Sequence, residues 1–128
     1  MRFSHSFIVG KGDIDVHDHV NNVAYLRWIQ DVAVAHWQAA ASARQQADYT
    51  WYVLRHEIDY KDRAFEGDAI RAETWVETQT RIKCERTTEI RRGDCLLVKA
   101  KSIWCLFDAK TNRPAKISDE LRSIFENK

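Results

Sequence analysis

DIDVHDHVNNVAYLRW, residues 13–28, sets three carboxylates, two imidazoles and two amides immediately ahead of an apolar helical run. Asn21 and Asn22 supply cap chemistry, because an Asn side chain accepts from the free amides of a first helical turn. From there the spacing predicts one long helix over 22–41. Its polar residues Arg27, Gln30, Asp31 and Gln38 fall on one narrow stripe when plotted at about 100° per residue. Tyr25, Ile29, Val32 and His36 lie opposite, with Trp28 and Trp37 on the flanks. That apolar arc is wider than a surface helix needs, so other elements must wrap this helix on several sides. His36, inside the arc, reads as a core or pocket-wall histidine.

Working outward, a strand is expected over 3–11 and a polar loop near 42–49. Four runs of period-two alternation follow, over 51–60, 68–79, 82–92 and 95–108. Gly67, Gly93 and Asp94 supply the turns between them. In the last run Leu96, Val98, Ala100, Trp104 and Leu106 share one face, and Leu97, Ile103, Cys105 and Phe107 the other. A strand apolar on both faces is a central one. The TNRP tetrapeptide at 111–114 should break the sheet, and Ser118 should cap a short helix ending near 125. The expected fold is α+β: a single domain over 1–128 in which a curled antiparallel five-stranded sheet wraps one long helix. The open edges of such a sheet invite pairing with a second copy, so a homodimer is expected.

Composition narrows the function classes. With 45% apolar and 30% charged residues the chain reads as an ordinary globular protein. A net charge of +1, with acidic and basic residues interleaved, argues against nucleic-acid binding. MRFSHSFIVG carries too short an apolar run for a signal peptide, and no stretch is long enough to span a membrane. Cys84, Cys95 and Cys105 have no CxxC spacing and read as thiols in a reducing compartment, so a cytoplasmic location is expected.

The motif Asp15-Val-His-Asp-His19-Val-Asn21-Asn22-Val-Ala-Tyr25-Leu26 resembles the helix entrance of hotdog-fold thioesterases of the 4-hydroxybenzoyl-CoA thioesterase-like group. IDYKDRAFEGDAI, AETWVE and the segment from TTEIRRGDC to RPAKI fit the same group, so the resemblance covers almost the whole chain. The motif is also similar to that of plant-type acyl-ACP thioesterases, which carry Asn where this chain has His17. Many single-domain relatives have Gly at the third position after the Asp. Here that residue is Asp18, which tolerates a left-handed backbone better than most residues.

The resemblance implies an acyl-CoA thioesterase, with an acyl-ACP thioesterase as the alternative. Asp15 matches the catalytic carboxylate, either attacking the thioester carbonyl or deprotonating a water. The oxyanion donor implied is the backbone amide of Asn22, at the positive end of the helix. His19 either holds the turn or orients Asp15, and Asn21 caps the helix. Asp13 reads as a solvated strand-end residue. Glu57 and Asp59 share a strand face, and Asp59 falls where the acyl-ACP group carries a Glu, which makes it a candidate binding residue. Tyr25, Trp28, Ile29 and Trp51 are candidates for an apolar acyl slot. Among Lys61, Arg63, Arg81, Lys83, Arg86 and Arg91 no phosphate ligand stands out. The spacing of Asp13, Asp15, His17, Asp18 and His19 fits neither an EF-hand loop nor an HExxH helix, so no metal or other cofactor is expected. The remaining rivals are a hotdog dehydratase and a non-catalytic acyl-thioester-binding protein. A homodimer, or a tetramer of paired dimers, is the expected assembly.

Overall fold

A computed structural model describes residues 2–126. Strand β1 (Phe3–Ile8) leads through a short 3-10 turn at Lys11–Asp13 to helix α1 (Asn22–Ala40). A small helix α2 (Ala43–Asp48) precedes strands β2 (Tyr49–Tyr60), β3 (Ala69–Gln79), β4 (Lys83–Arg92) and β5 (Cys95–Asp108). A two-residue strand β6 (Arg113–Pro114) and helix α3 (Asp119–Ser123) follow. The main strands form one antiparallel sheet in the order β1-β3-β4-β5-β2, with β6 beside the end of β5. This is the hotdog arrangement, and β5 is indeed interior, flanked by β4 and β2.

The wide apolar arc of α1 explains why the sheet curls. Ala24, Tyr25, Trp28, Ile29 and Val32 are buried against Ile70 and Ala72 of β3, Ile90 of β4, and Val98 and Ala100 of β5. Ile29 and Val32 are wholly buried, so truncating Ile29 to Ala should cost about 2–5 kcal/mol. Further along the helix Ala33 packs with Cys84 and Trp104. Beyond it, Leu106, Ile117 and Leu121 close the far end, with Trp37, Tyr49 and Trp51 packed around them.

Three local expectations need correction. Residues 43–48 are helical rather than loop, because Ser42 and Gln45 form a reciprocal capping box. The Ser42 hydroxyl accepts from the Gln45 amide at 3.1 Å, and the Gln45 side chain accepts from the Ser42 amide at 2.8 Å. No residue of this helix is buried, so it carries no apolar stripe to read. The 111–114 tetrapeptide does not end the sheet: it turns through Asn112, at φ +55°, and Arg113–Pro114 pairs back on Phe107 and Asp108. Leu97, expected on the face opposite Val98, is fully buried with Val98 in the main core. A bulge opposite Ile90 and Arg91 leaves it between two ladder pairs and interrupts the strict alternation.

Candidate active site

Residues 14–20 close a small hairpin that carries the polar cluster to the start of α1. Ile14 and Val20 pair as an antiparallel bridge, and the Asp15 amide donates to the His19 carbonyl at 3.1 Å. At the tip the Asp18 amide donates to the Asp15 carbonyl at 3.2 Å. One carboxylate oxygen of Asp15 accepts from the His17 amide at 2.8 Å, an Asx turn. Asp18 takes φ +65°, the left-handed position that its short polar side chain tolerates.

The hairpin is pinned from both sides. The Val20 amide donates to the Ala64 carbonyl at 2.9 Å, tying it to the segment between β2 and β3. The Asn21 amide and side-chain nitrogen both donate to the Asp13 carbonyl, at 3.0 and 3.1 Å. The Asn21 side-chain oxygen caps α1 by accepting from Ala24 at 2.9 Å. Asp13 is not a solvated end residue as expected. Its carboxylate is mostly shielded, forms an ion pair with Arg27 on the second turn of α1, and accepts from the Gly10 amide.

This scaffold leaves one donor conspicuous. The Asn22 amide is the first of α1, and among the described residues it has no acceptor. It sits where the partial positive charge of a 19-residue helix is concentrated. A cleft of about 400 Å³ opens beside it, walled by His19, Asn22 and Tyr25 on one side and by Tyr60, Lys61 and Arg63 on the other. The hydroxyl of Tyr25 accepts from the buried Ala64 amide at 2.9 Å and keeps its own hydrogen free to donate. Burial raises the pKa of this phenol, so it stays protonated. His19 Nδ1 lies 3.2 Å from the Val20 carbonyl, which can only accept, so this nitrogen is the donor.

The facing wall is held by charge. Arg92 donates to the Arg63 carbonyl at 2.7 Å and to Asp68 at 3.0 Å. The Cys95 thiol donates to Asp62 at 3.2 Å. The Arg63 amide, and then this thiol, keep the Asp62 carboxyl below its ordinary range. Lys61 and Arg63 stand exposed at the rim.

His19, Asn22 and Tyr25 therefore meet in one cleft. Asp15 sits half-buried in the adjoining hairpin, with one carboxylate oxygen free of any hydrogen bond among the described residues, and it does not line this cleft. Trp28 lines neither this cleft nor the second one described below; it packs into the core against Phe7 and Tyr25. Asp59 is exposed and pairs in register with Lys99, while its neighbour Ile58 packs against the main core. Its side chain therefore leaves the sheet on the side away from α1. Among the described residues no three His, Cys, Asp or Glu side chains converge as a metal site. Sequence reasoning missed Tyr60 as a wall of the cleft, although its period-two spacing from the core residue Ile58 places it on the helix side. Trp51 lies elsewhere, lining a second cavity of about 300 Å³ under the far half of α1, together with Arg86 and Trp104.

A family model described as the acyl-ACP thioesterase N-terminal domain matches residues 1–125. The chain is 33% identical over 79 residues to the chloroplastic acyl-(acyl-carrier-protein) hydrolase FATB3 of Cuphea viscosissima, covering 59% of this chain and 19% of that protein. It spans about a fifth to a third of the length of the curated relatives it matches. A 4-hydroxybenzoyl-CoA thioesterase mutant, solved with 4-hydroxybenzoyl-CoA, superposes with a TM-score of 0.89 at 14% identity, over 98% of this chain and 99% of that one. A 1,4-dihydroxy-2-naphthoyl-CoA thioesterase from Synechocystis superposes with a TM-score of 0.83 at 14% identity, over 98% and 96%. At these identities the superpositions establish the fold.

Proposed function

The chain belongs to the acyl-ACP thioesterase N-terminal domain family, and from that membership we propose that it hydrolyses acyl-CoA thioesters to a free acid and CoA. The observation that carries the reading is the unpartnered Asn22 amide at the head of α1, opening on a cleft beside His19 and Tyr25. A thioester oxygen resting there gains a preorganised donor at the positive end of a helix as negative charge develops on it. Asp15 is the base or nucleophile: its free oxygen either takes a proton from a water that attacks the carbonyl carbon, or attacks that carbon itself. Direct attack forms an anhydride that water then hydrolyses to the free acid and the restored carboxylate. In both routes the carrier thiolate leaves and takes up a proton. His19 supports the hairpin beside it.

Assembly is part of the proposal. The cleft lies near the end of β2, which is an edge strand of twelve residues with Tyr52 and Leu54 about half exposed. An open edge of that length pairs readily with its own copy, and a homodimer, with a tetramer as its further association, follows from it. Such pairing would supply the walls that one protomer leaves open and give Asp15 a cleft to face. Unpaired thiols at Cys84, Cys95 and Cys105 suit the cytoplasm as the compartment.

The names of the curated relatives favour a second reading, in which the carrier is acyl carrier protein. The rim residues Lys61 and Arg63 suit either the phosphates of CoA or an acidic carrier. Thiol release from matched panels of acyl-CoA and acyl-ACP, with wild type and Asp15→Asn, tests the function. The expected result is turnover on one panel and a loss of about 10²–10⁴-fold in the variant. Full activity in Asp15→Asn overturns the catalytic assignment. Binding of acyl-CoA with no turnover of any thioester points to the non-catalytic protein.

A further inference from the structure

The second cavity, under the far half of α1, contains chemistry that thioester cleavage at the helix entrance does not use. Three indoles line it, Trp37 of α1, Trp51 of β2 and Trp104 of β5, and so do the polar residues Gln38, Gln46 and Thr50. Arg86 of β4 lines it too, and is 4% exposed. Among the described residues this buried guanidinium has no carboxylate partner. Among the described residues only Nη1 is satisfied, by His36 Nδ1 at 2.9 Å and Thr74 Oγ1 at 3.1 Å, and the face of the group lies 5.5 Å from the Phe125 ring. Burial lowers its pKa to about 10, so it remains a cation at neutral pH.

Buried donors without an acceptor lie beside this guanidinium. Nε1 of Trp51 and Nε1 of Trp104 are buried without a partner among the described residues. Because Arg86 can only donate, His36 Nδ1 is the acceptor, and the imidazole proton sits on Nε2, which is also buried and unpartnered. Buried polar groups in native proteins are normally paired, and a cluster of orphans around a buried charge asks for a partner from outside the chain. The free atoms of Arg86, Nε and Nη2, form the edge of a guanidinium that takes a carboxylate side-on through two parallel hydrogen bonds.

We propose that this cavity binds an apolar or aromatic carboxylate, its body against Trp37, Trp51 and Trp104 and its carboxylate on the free edge of Arg86. Two sources carry that chemistry. One is a free acid, such as the product of thioester hydrolysis. The other is the far carboxylate of a dicarboxylic acyl thioester, and this one rests on the thioesterase reading above.

The test is tryptophan fluorescence titration of the full chain with sodium octanoate and with 1-octanol, equal in chain length. Octanoate should bind at least tenfold tighter, and Arg86→Met should abolish or invert the preference. Equal affinity in the wild type overturns the proposal without recourse to any variant, as does an octanoate preference that survives Arg86→Met. Thiol release from octadecanedioyl-CoA against stearoyl-CoA separates the sources, because Arg86 meets α1 at His36, about 21 Å along the helix from Asn22. A tenfold higher kcat/KM for the dicarboxylic thioester identifies the far carboxylate, and octanoate binding without that preference identifies the free acid. Octanoate binding with no thiol release from any thioester removes the catalytic reading and leaves this one. Thiol release with no octanoate preference does the reverse.

Discussion

Nη1 of Arg86 lies 2.9 Å from Nδ1 of His36, and both side chains are almost completely buried between α1 and the sheet. A cation that cannot give up its proton thus faces an imidazole that must stay neutral to accept from it. The pair sets the first prediction.

Burial first, and the Arg86 charge second, lower the His36 pKa from 6.5 to about 4. Between those values the unfolded chain binds a proton that the native state does not. Stability from this group is therefore complete above about pH 6.5 and is lost as the pH falls toward 4, by about 3 kcal/mol in all. Urea unfolding across pH 4–7 measures the slope. His36→Gln, which can still accept from Arg86, should flatten it, and an unchanged slope in that variant would assign the effect to other groups.

Proline at position 22 isolates the proposed oxyanion donor. The amide it removes has no acceptor, the first helical position favours proline, and Asn21, at φ −76° and ψ 155°, already has the extended backbone that must precede one. Asn22→Pro should change stability by less than about 1 kcal/mol while kcat falls about 10²–10³-fold. Asn22→Ala keeps the amide and should lose far less. Similar kcat values in the two variants would place the oxyanion elsewhere.

Tyr25 holds the cleft together through the Ala64 amide. Tyr25→Phe leaves that wholly buried N–H without an acceptor, at a cost of about 1–3 kcal/mol. Chemical denaturation should record the loss, and amide exchange at Ala64 should accelerate. Undiminished protection there would show that the bond contributes nothing.

Asp18 tests the turn that presents Asp15. Its φ of +65° suits Gly at least as well, so Asp18→Gly should be neutral or slightly stabilising, whereas Asp18→Val should cost about 1–2 kcal/mol. Thermal melting of the two variants compares them directly. Equal melting temperatures would mean that the hairpin tip can adopt another backbone.

Removing the Asn21 cap should destabilise α1 by about 1 kcal/mol, and more if the Asp13 carbonyl contact is also lost. Asn21→Ser retains an oxygen for Ala24 and should recover most of the cap. Urea midpoints that are the same for Asn21→Ala and wild type would contradict the capping role.

Much of the fold was legible along the chain because its signals are local. The Asn21 cap, the broad apolar arc of α1, the alternation of the strands and the two apolar faces of β5 each depend on neighbours a few residues away. The left-handed tolerance of Asp18 was legible for the same reason. Small helix α2 escaped, since a capping box without an apolar stripe has no periodicity to detect. Leu97 escaped because a bulge shifts the alternation by one residue, and only pairing with β4 reveals the shift.

The candidate site divides along the same line. Residue order alone put Asp15, His19 and Asn22 together at one helix entrance, because the hairpin and the cap that hold them are built from near neighbours. Tertiary structure decided what they face. Tyr60, Lys61 and Arg63 reach the cleft from about 40 residues away, once β2 runs back along the sheet. Arg86, one more surface charge on a strand when read in order, becomes a buried cation because β4 turns that side chain under α1 toward His36. Whether a charge is solvated or desolvated depends on what covers it, and what covers Arg86 lies fifty residues earlier in the chain.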